Sequence, residues 1–235
     1  MKTIDFCMVA WPRDEFRLQY FEASLKSFRE FVTASRHIIR AYVSFETLDV
    51  STENFQSARA VCRKYDVAPT WRAKPPSLGG NQNDALMIGH GEFKLTSQDD
   101  WAWNRPIDIS PAADILERNC EFALIRFATF YTEFTGFDFE NASGQRFEFV
   151  KMDGPFPYGD QPHLRRADFA TRKSQTGGEP IGFYHHSETG DYATPENEMA
   201  HRLITNGWKI AAYHPNVVDH CGSMSSAPDR RPQTV

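Results

Sequence analysis

The chain has 235 residues, of which 40% are hydrophobic and 24% charged, and a formal net charge of −5. That balance can fill the core of one α/β domain and excludes a disordered chain, while the acidic excess argues against broad nucleic-acid binding, which needs clustered Lys and Arg. Cys7, Cys62, Cys120 and Cys221 are scattered without a CxxC pair, which excludes the common zinc motifs and predicts reduced, structural thiols. The opening MKTIDFCMVAWPRDE is broken by charge and reads as a first buried strand rather than a leader. With no apolar run near the ~20 residues that cross a bilayer, a cytoplasmic protein is expected, with peripheral membrane contact left open.

Thr3 to Ala10 predicts a strand, closed by Trp11-Pro12-Arg13. A helix follows, with Phe21, Leu25, Phe28 and Val32 on its buried face and Arg17, Lys26 and Arg29 toward water. His37 to Phe45 predicts a second strand, and Phe55, Ala58, Cys62 and Tyr65 mark the apolar face of a second helix. Ala68 to Arg72 suits a third strand, Pro75 to Gly80 a loop, Asn83 to His90 a short helix and Glu92 to Ser97 another strand. Such alternation predicts a mostly parallel sheet covered by helices, whose ligands bind beyond the strands' carboxyl ends. Gln98-Asp99-Asp100 falls at one of those ends.

Further on, Pro111 to Phe134 carries Leu116, Cys120, Ala123, Phe127, Phe130 and Phe134 at helical spacing and predicts a long amphipathic helix. From Phe137 to Arg166, short aromatic runs punctuated by Gly and Pro predict strands and functional loops. A last helix is expected with Thr194 as N-cap, Pro195 at its first position, Glu196 and Glu198 in the first turn and Gly207 at its end. WKIAAY adds a strand, and the tail beyond residue 222 lacks core periodicity.

From Asn83 to Asp100 the chain reads NDALMIGHGEFKLTSQDD: an N-x-A-L helix, a Gly before an aromatic residue, a strand and an acidic triplet. In order and spacing this resembles the middle of glycosyltransferase family 2. A second stretch, TPENEMAHRLITNG followed by WKIAAYHPNVVDHCG, is similar to the family's base-bearing helix and the strand after it. The resemblance implies a GT-A fold: an α/β, Rossmann-like, mostly parallel central sheet flanked by helices, with a smaller antiparallel or loop-rich acceptor side. It implies one catalytic domain over 1–222, with a nucleotide-sugar-binding half at 1–104, an acceptor half at 105–222 and a flexible tail at 223–235.

The implied chemistry is transfer of a sugar from a nucleotide-diphosphate donor, a UDP-sugar by preference, to an acceptor hydroxyl. A hard divalent cation, Mn2+ or Mg2+, bridges the diphosphate to protein oxygens in this chemistry. Asp100 takes the place of the metal ligand and His220, after an apolar strand, resembles the histidine that completes the metal site. Gln98 stands where the family has its first acid. Glu196 aligns with the general base that accepts the acceptor's proton during inversion, and Glu198 is the competing residue. Asn83, Gln98 and Asp99, with Ala10, Trp11 and Arg13 after the first strand and Glu46 after the second, occupy donor-binding positions. Asp160, His163, Arg165 and Arg166 lie in the acceptor-side segment.

Simpler readings stand beside these. Acidic pairs solvate turns, acids in a helix's first turn complement its dipole, and the 160–166 segment suits a surface turn with salt bridges. A nucleotidyltransferase of similar fold is one alternative, although AWPRDEFR lacks the Gly-rich loop that binds triphosphate. An inactive carbohydrate-binding or assembly module is another, motivated by Gln98 and Pro195. The acceptor, whether saccharide, lipid-linked sugar, protein or modified base, is open.

Overall fold

The computed structural model describes residues 1–46, 49–71, 78–129, 133–140, 144–154, 158–159, 161–173, 179–183 and 195–221. The first half alternates strands and helices: β1 (Lys2–Ala10), α1 (Glu15–Phe31), β2 (Val32–Thr33), β3 (His37–Phe45), α2 (Glu53–Lys64), β4 (Ala68–Trp71), α3 (Leu78–Met87) and β5 (Phe93–Gln98). Then come β6 (Trp101–Trp103), β7 (Ile107–Asp108), α4 (Ser110–Arg118), β8 (Phe122–Arg126), β9 (Phe134–Glu140), β10 (Arg146–Val150) and β11 (His163–Arg166). Helix α5 (Pro195–Thr205) and strands β12 (Lys209–His214) and β13 (Val218–His220) close the described fold.

Nine strands form the central sheet in the order β4-β3-β1-β5-β11-β8-β12-β10-β9. β4, β3, β1 and β5 pair in parallel, β11 runs against both β5 and β8, and β8 and β12 are again parallel. β10 and β9 add an antiparallel margin. The parallel half follows from its connections: α1 and α2 are the crossovers that carry the chain back before the next strand. Each starts on a side-chain cap, Asp14 accepting from Arg17 N at 2.8 Å and Thr52 from Phe55 N at 3.3 Å.

The two faces of the sheet have separate cores. On one, Phe21, Leu25 and Phe28 of α1, Phe55 of α2 and Leu116 of α4 close over Ile4, Phe6, Met8, Val43 and Leu95. Each buried Phe or Leu there contributes about 1.5–3 kcal/mol by leaving water. On the other, α3 packs Ala85 on Cys7 and Val9, and its Leu86 joins Met199 and Leu203 of α5 in a second cluster.

Two expectations need correction. The helix predicted across 111–134 ends at Arg118, Asn119 donates its N–H to Ile115 O at 2.9 Å, and Phe122–Arg126 becomes an inner strand buried at every position. A short apolar run covered on both faces carries no period that separates strand from helix. Residue 130 lies outside the described residues. Nor are Gly79 and Gly80 a loop: both are buried in the first turn of α3, which opens five residues before Asn83. Helix α3 as a whole packs against β1 and β3.

The glycines ahead of β5 answer to a buried charge. Asp5 Oδ2 accepts from Gly91 N and from Lys94 Nζ, both at 2.7 Å, and Lys94 also donates to Ile88 O. A Cβ on Gly91 would lie 2.8 Å from the Asp5 Cγ, so only glycine lets this turn approach the carboxylate.

Lys94→Met will lower stability by about 3–5 kcal/mol, because it strands Asp5 as an unpaired buried charge, and Asp5→Asn in the same chain will recover part of the loss. Urea unfolding of the single and double variants measures both.

Candidate active site

The site lies beyond the carboxyl ends of β1 and β5, which are paired with Val9 opposite Gln98. Here Asp99 and Asp100 make the turn from β5 into β6. Asp99 is 1% exposed; its Oδ2 accepts from Trp11 N at 3.0 Å and its Oδ1 from Arg17. Arg17 reaches both acids, since its Nη1 also donates to Asp100 Oδ2 at 3.0 Å. His220 Nε2 lies 3.3 Å from that same Oδ2, while Asp100 Oδ1 is buried without a hydrogen-bond partner.

Two elements hold the turn. Helix α1 presents Arg17 from its first turn and, further along, Ser24, which donates to Trp101 O, and Ser27, whose Oγ accepts from Trp103 N at 2.9 Å. Strand β13 pairs antiparallel with β6, placing His220 opposite Trp101 with ring centroids 4.8 Å apart. Cys221 N then donates to Asp100 O at 2.7 Å. Residues 120 apart in sequence, Asp100 and His220, are brought together by this ribbon.

The two carboxyls differ in their electrostatics. Burial pushes Asp99 up to about 7, against the opposing charge of Arg17. Burial acts on Asp100 too, but the hydrogen bond from His220 and the charge of Arg17 outweigh it and hold this carboxyl below its usual value. Two adjacent acids, one buried and one half-buried, with one guanidinium between them divide the roles in this way.

The remaining donor-side positions cluster at the same end of the sheet. Ala10 is buried and its O accepts from Glu46 N at 2.8 Å; the Glu46 side chain is buried as well. Trp11 is 40% exposed with the Arg13 guanidinium 4.8 Å from its ring centre. Asn83 is buried on α3 and Gln98 is half-buried as the last residue of β5.

The acceptor-side residues sit differently from a surface turn. His163 and Arg165 are buried on β11, an inner strand between β5 and β8, and Asp160 lies outside the described residues. Arg165 stacks 4.7 Å from the centre of the Phe169 ring, and Arg166 makes the salt bridge the simpler reading expects, to Asp168 at 3.0 Å. His163 Nδ1 donates to Gln161 O at 2.6 Å, which leaves Nε2 to accept from Thr96 Oγ1 at 2.9 Å. Burial first, then the charges of Arg165 and Arg126, hold this imidazole neutral, well below its usual pKa.

Helix α5 begins at Pro195 as expected, while the N-cap position Thr194 lies outside the described residues. Glu196 is half-buried in its first turn, and Glu198 is 9% exposed and takes an ion pair from Arg202 Nη2 at 2.7 Å. The sequence reading missed Arg17, which it turned toward water. Its one signal was position: an Arg in the first turn of the helix that leaves the site.

Parallel strands with an acidic turn at their carboxyl ends and helices on both faces define a glycosyltransferase fold of the GT-A kind. Among solved structures the chain is similar to S. aureus TarS, a glycosyltransferase, at 13% identity and a TM-score of 0.58, covering 93% of this chain and 36% of that one. It is also similar to the 1–349 portion of TarS in complex with UDP-GlcNAc, at 14% identity and a TM-score of 0.58, over 97% of this chain and 62% of that one. The complex of the same portion with UDP matches at 12% identity and a TM-score of 0.56, over 93% and 60%. This chain thus spans less than two thirds of the proteins it resembles. No protein-family model and no curated protein sequence matches it.

His163 binds its proton in the unfolded chain near pH 6.5 but not in the fold, so its contribution to stability is present above that pH and is lost as pH falls below it. Relative to His163→Gln, the wild-type chain will lose up to about 1.4 kcal/mol per pH unit between pH 6 and 5. Paired urea titrations at those pH values read the difference.

Proposed function

We infer that the protein transfers a sugar from a UDP-sugar to an acceptor hydroxyl. The observation that carries this reading is the acidic pair Asp99-Asp100 at the end of β5, joined to the end of β1 through Trp11 and to His220 at 3.3 Å. The similar TarS structures hold UDP-GlcNAc and UDP, which supports a uridine nucleotide as donor.

A divalent cation, Mn2+ or Mg2+, fits the residues present. Asp100 Oδ1 is a buried carboxylate oxygen lacking a hydrogen-bond partner, and His220 supplies an imidazole nitrogen 3.3 Å from the other oxygen, Oδ2, a donor set such ions accept. Among the described residues no group of three or more His, Cys, Asp or Glu side chains surrounds one point, so the donor's phosphate oxygens and water would complete the coordination. Such a cation, when bound, offsets the charge that gathers on the leaving diphosphate. Asp99, Asn83 and Glu46 orient the nucleotide, and Trp11 offers it an exposed ring face beside Arg13.

In the transfer step the acceptor oxygen attacks the anomeric carbon, the bond from that carbon to the diphosphate oxygen breaks with its electron pair, and the hydroxyl proton passes to a carboxylate. Single displacement inverts the anomeric centre. Glu196, in the first turn of α5, is assigned as the base on its alignment with the family's base, and Glu198, ion-paired with Arg202 at 2.7 Å, is the competing residue. His163 and Arg165 bound the acceptor side from β11. No described helix is long and apolar enough to cross a membrane.

With UDP and Mn2+ at about 100 times the dissociation constant, stability will rise by about 2.7 kcal/mol, and Asp100→Asn will abolish the Mn2+-dependent part. Glu196→Gln will keep that stabilisation yet lower sugar transfer by at least about 100-fold. Thermal unfolding and UDP release from a panel of UDP-sugars report on each, and a chain indifferent to every uridine nucleotide with or without metal would refute the reading.

A further inference from the structure

Arg17 stands on the atoms that a donor complex needs. Its guanidinium covers Asp99 Oδ1 and Asp100 Oδ2, and the other Asp99 oxygen is taken by Trp11 N at 3.0 Å. Asp100 Oδ2 is shared between Arg17 Nη1 at 3.0 Å and His220 Nε2 at 3.3 Å. A cation bound by His220 needs the Nε2 lone pair and an Asp100 oxygen, so it meets the guanidinium on the same carboxylate. Two cations held on one carboxylate repel one another, and the weaker hold yields.

The side chain has somewhere to go. The Arg17 side chain is 27% exposed, in contrast to the 2% of the Asp99 side chain, so it lies at the rim of the site. It projects from the first turn of α1, whose Asp14 cap ties its backbone N–H at 2.8 Å and leaves the side chain free to swing about a fixed base. A diphosphate arriving over Asp100 offers that guanidinium paired oxygens, which the planar fork of arginine matches bidentately better than any other side chain.

Resting on the donor-site reading above, we propose that Arg17 is a tethered counter-cation that neutralises Asp99 and Asp100 in the donor-free protein and passes to the diphosphate when metal and nucleotide enter. Metal binding without nucleotide is thereby opposed, and metal and nucleotide bind together. Such coupling is reciprocal: each ligand strengthens the other by the same factor.

The test uses the full chain and compares wild type with Arg17→Gln and Arg17→Lys. Mn2+ is titrated alone, followed by the paramagnetic resonance signal of the free ion, and UDP is titrated by calorimetry at fixed Mn2+. Arg17→Gln will bind Mn2+ alone at least about 5-fold more tightly than wild type and UDP with Mn2+ at least about 10-fold more weakly, the size of a typical coupling. Arg17→Lys holds one carboxylate at a time and will shift Mn2+ affinity the same way by less, which keeps the test standing if Arg17→Gln fails to fold. Mn2+ affinity unchanged or weakened in the folded variants, or UDP affinity untouched in Arg17→Gln or, failing that, Arg17→Lys, overturns the handover while leaving the donor site intact. A wild-type chain that binds no UDP at all removes the donor-site reading and the handover together.

Discussion

Two carboxylates on successive residues, both withdrawn from water, repel each other and lose their hydration; the arrangement survives because Arg17 lies between them. One guanidinium divides its nitrogens between Asp99 and Asp100, Trp11 N takes the other Asp99 oxygen, and His220 shares Asp100 Oδ2 with Arg17. Those three partners come from α1, the end of β1 and the last described strand. The acidic turn therefore serves as a junction where distant parts of the chain meet, and much of the fold's layout is what it takes to bring them there.

Helix α1 does most of the positioning. Its apolar stripe is driven onto the sheet by Phe21, Leu25 and Phe28, and this sets the rotation of the whole helix. Once that rotation is set, Ser24 and Ser27 meet β6 and Arg17 meets the acids. Hydrophobic burial thus supplies the energy and the polar residues on the flank supply the register, a division that lets a site be rigid without carrying its own stability. The sheet answers in the same way on its other face, where the Asp5–Lys94 pair seats the glycine turn that leads into β5.

Much of this was legible beforehand. β3 and the core faces of α1 and α2 follow from periodicity, and the placement of Asp99 and Asp100 at a strand end follows from the alternation before them. The run from Phe122 was misread as helix because both of its sides are buried, so no polar period was left to mark it as strand. His163 and Arg165 read as surface residues because polar side chains normally avoid an inner strand. For His163 the compensation is local, since Thr96 and Gln161 satisfy the imidazole; Arg165 stacks on Phe169, but its guanidinium nitrogens are buried without a hydrogen-bond partner.

By itself the sequence determined which segments bury their faces, where the acidic turn falls and which residue types suit a nucleotide diphosphate, because burial and strand ends leave their mark on neighbouring residues. Only the tertiary structure decided that Arg17 spans both acids and that His220, which the family resemblance had already set beside Asp100, shares an oxygen with it. Neither contact has a local signature. Each depends on how one element is rotated against another, and that rotation is set by packing across the whole core.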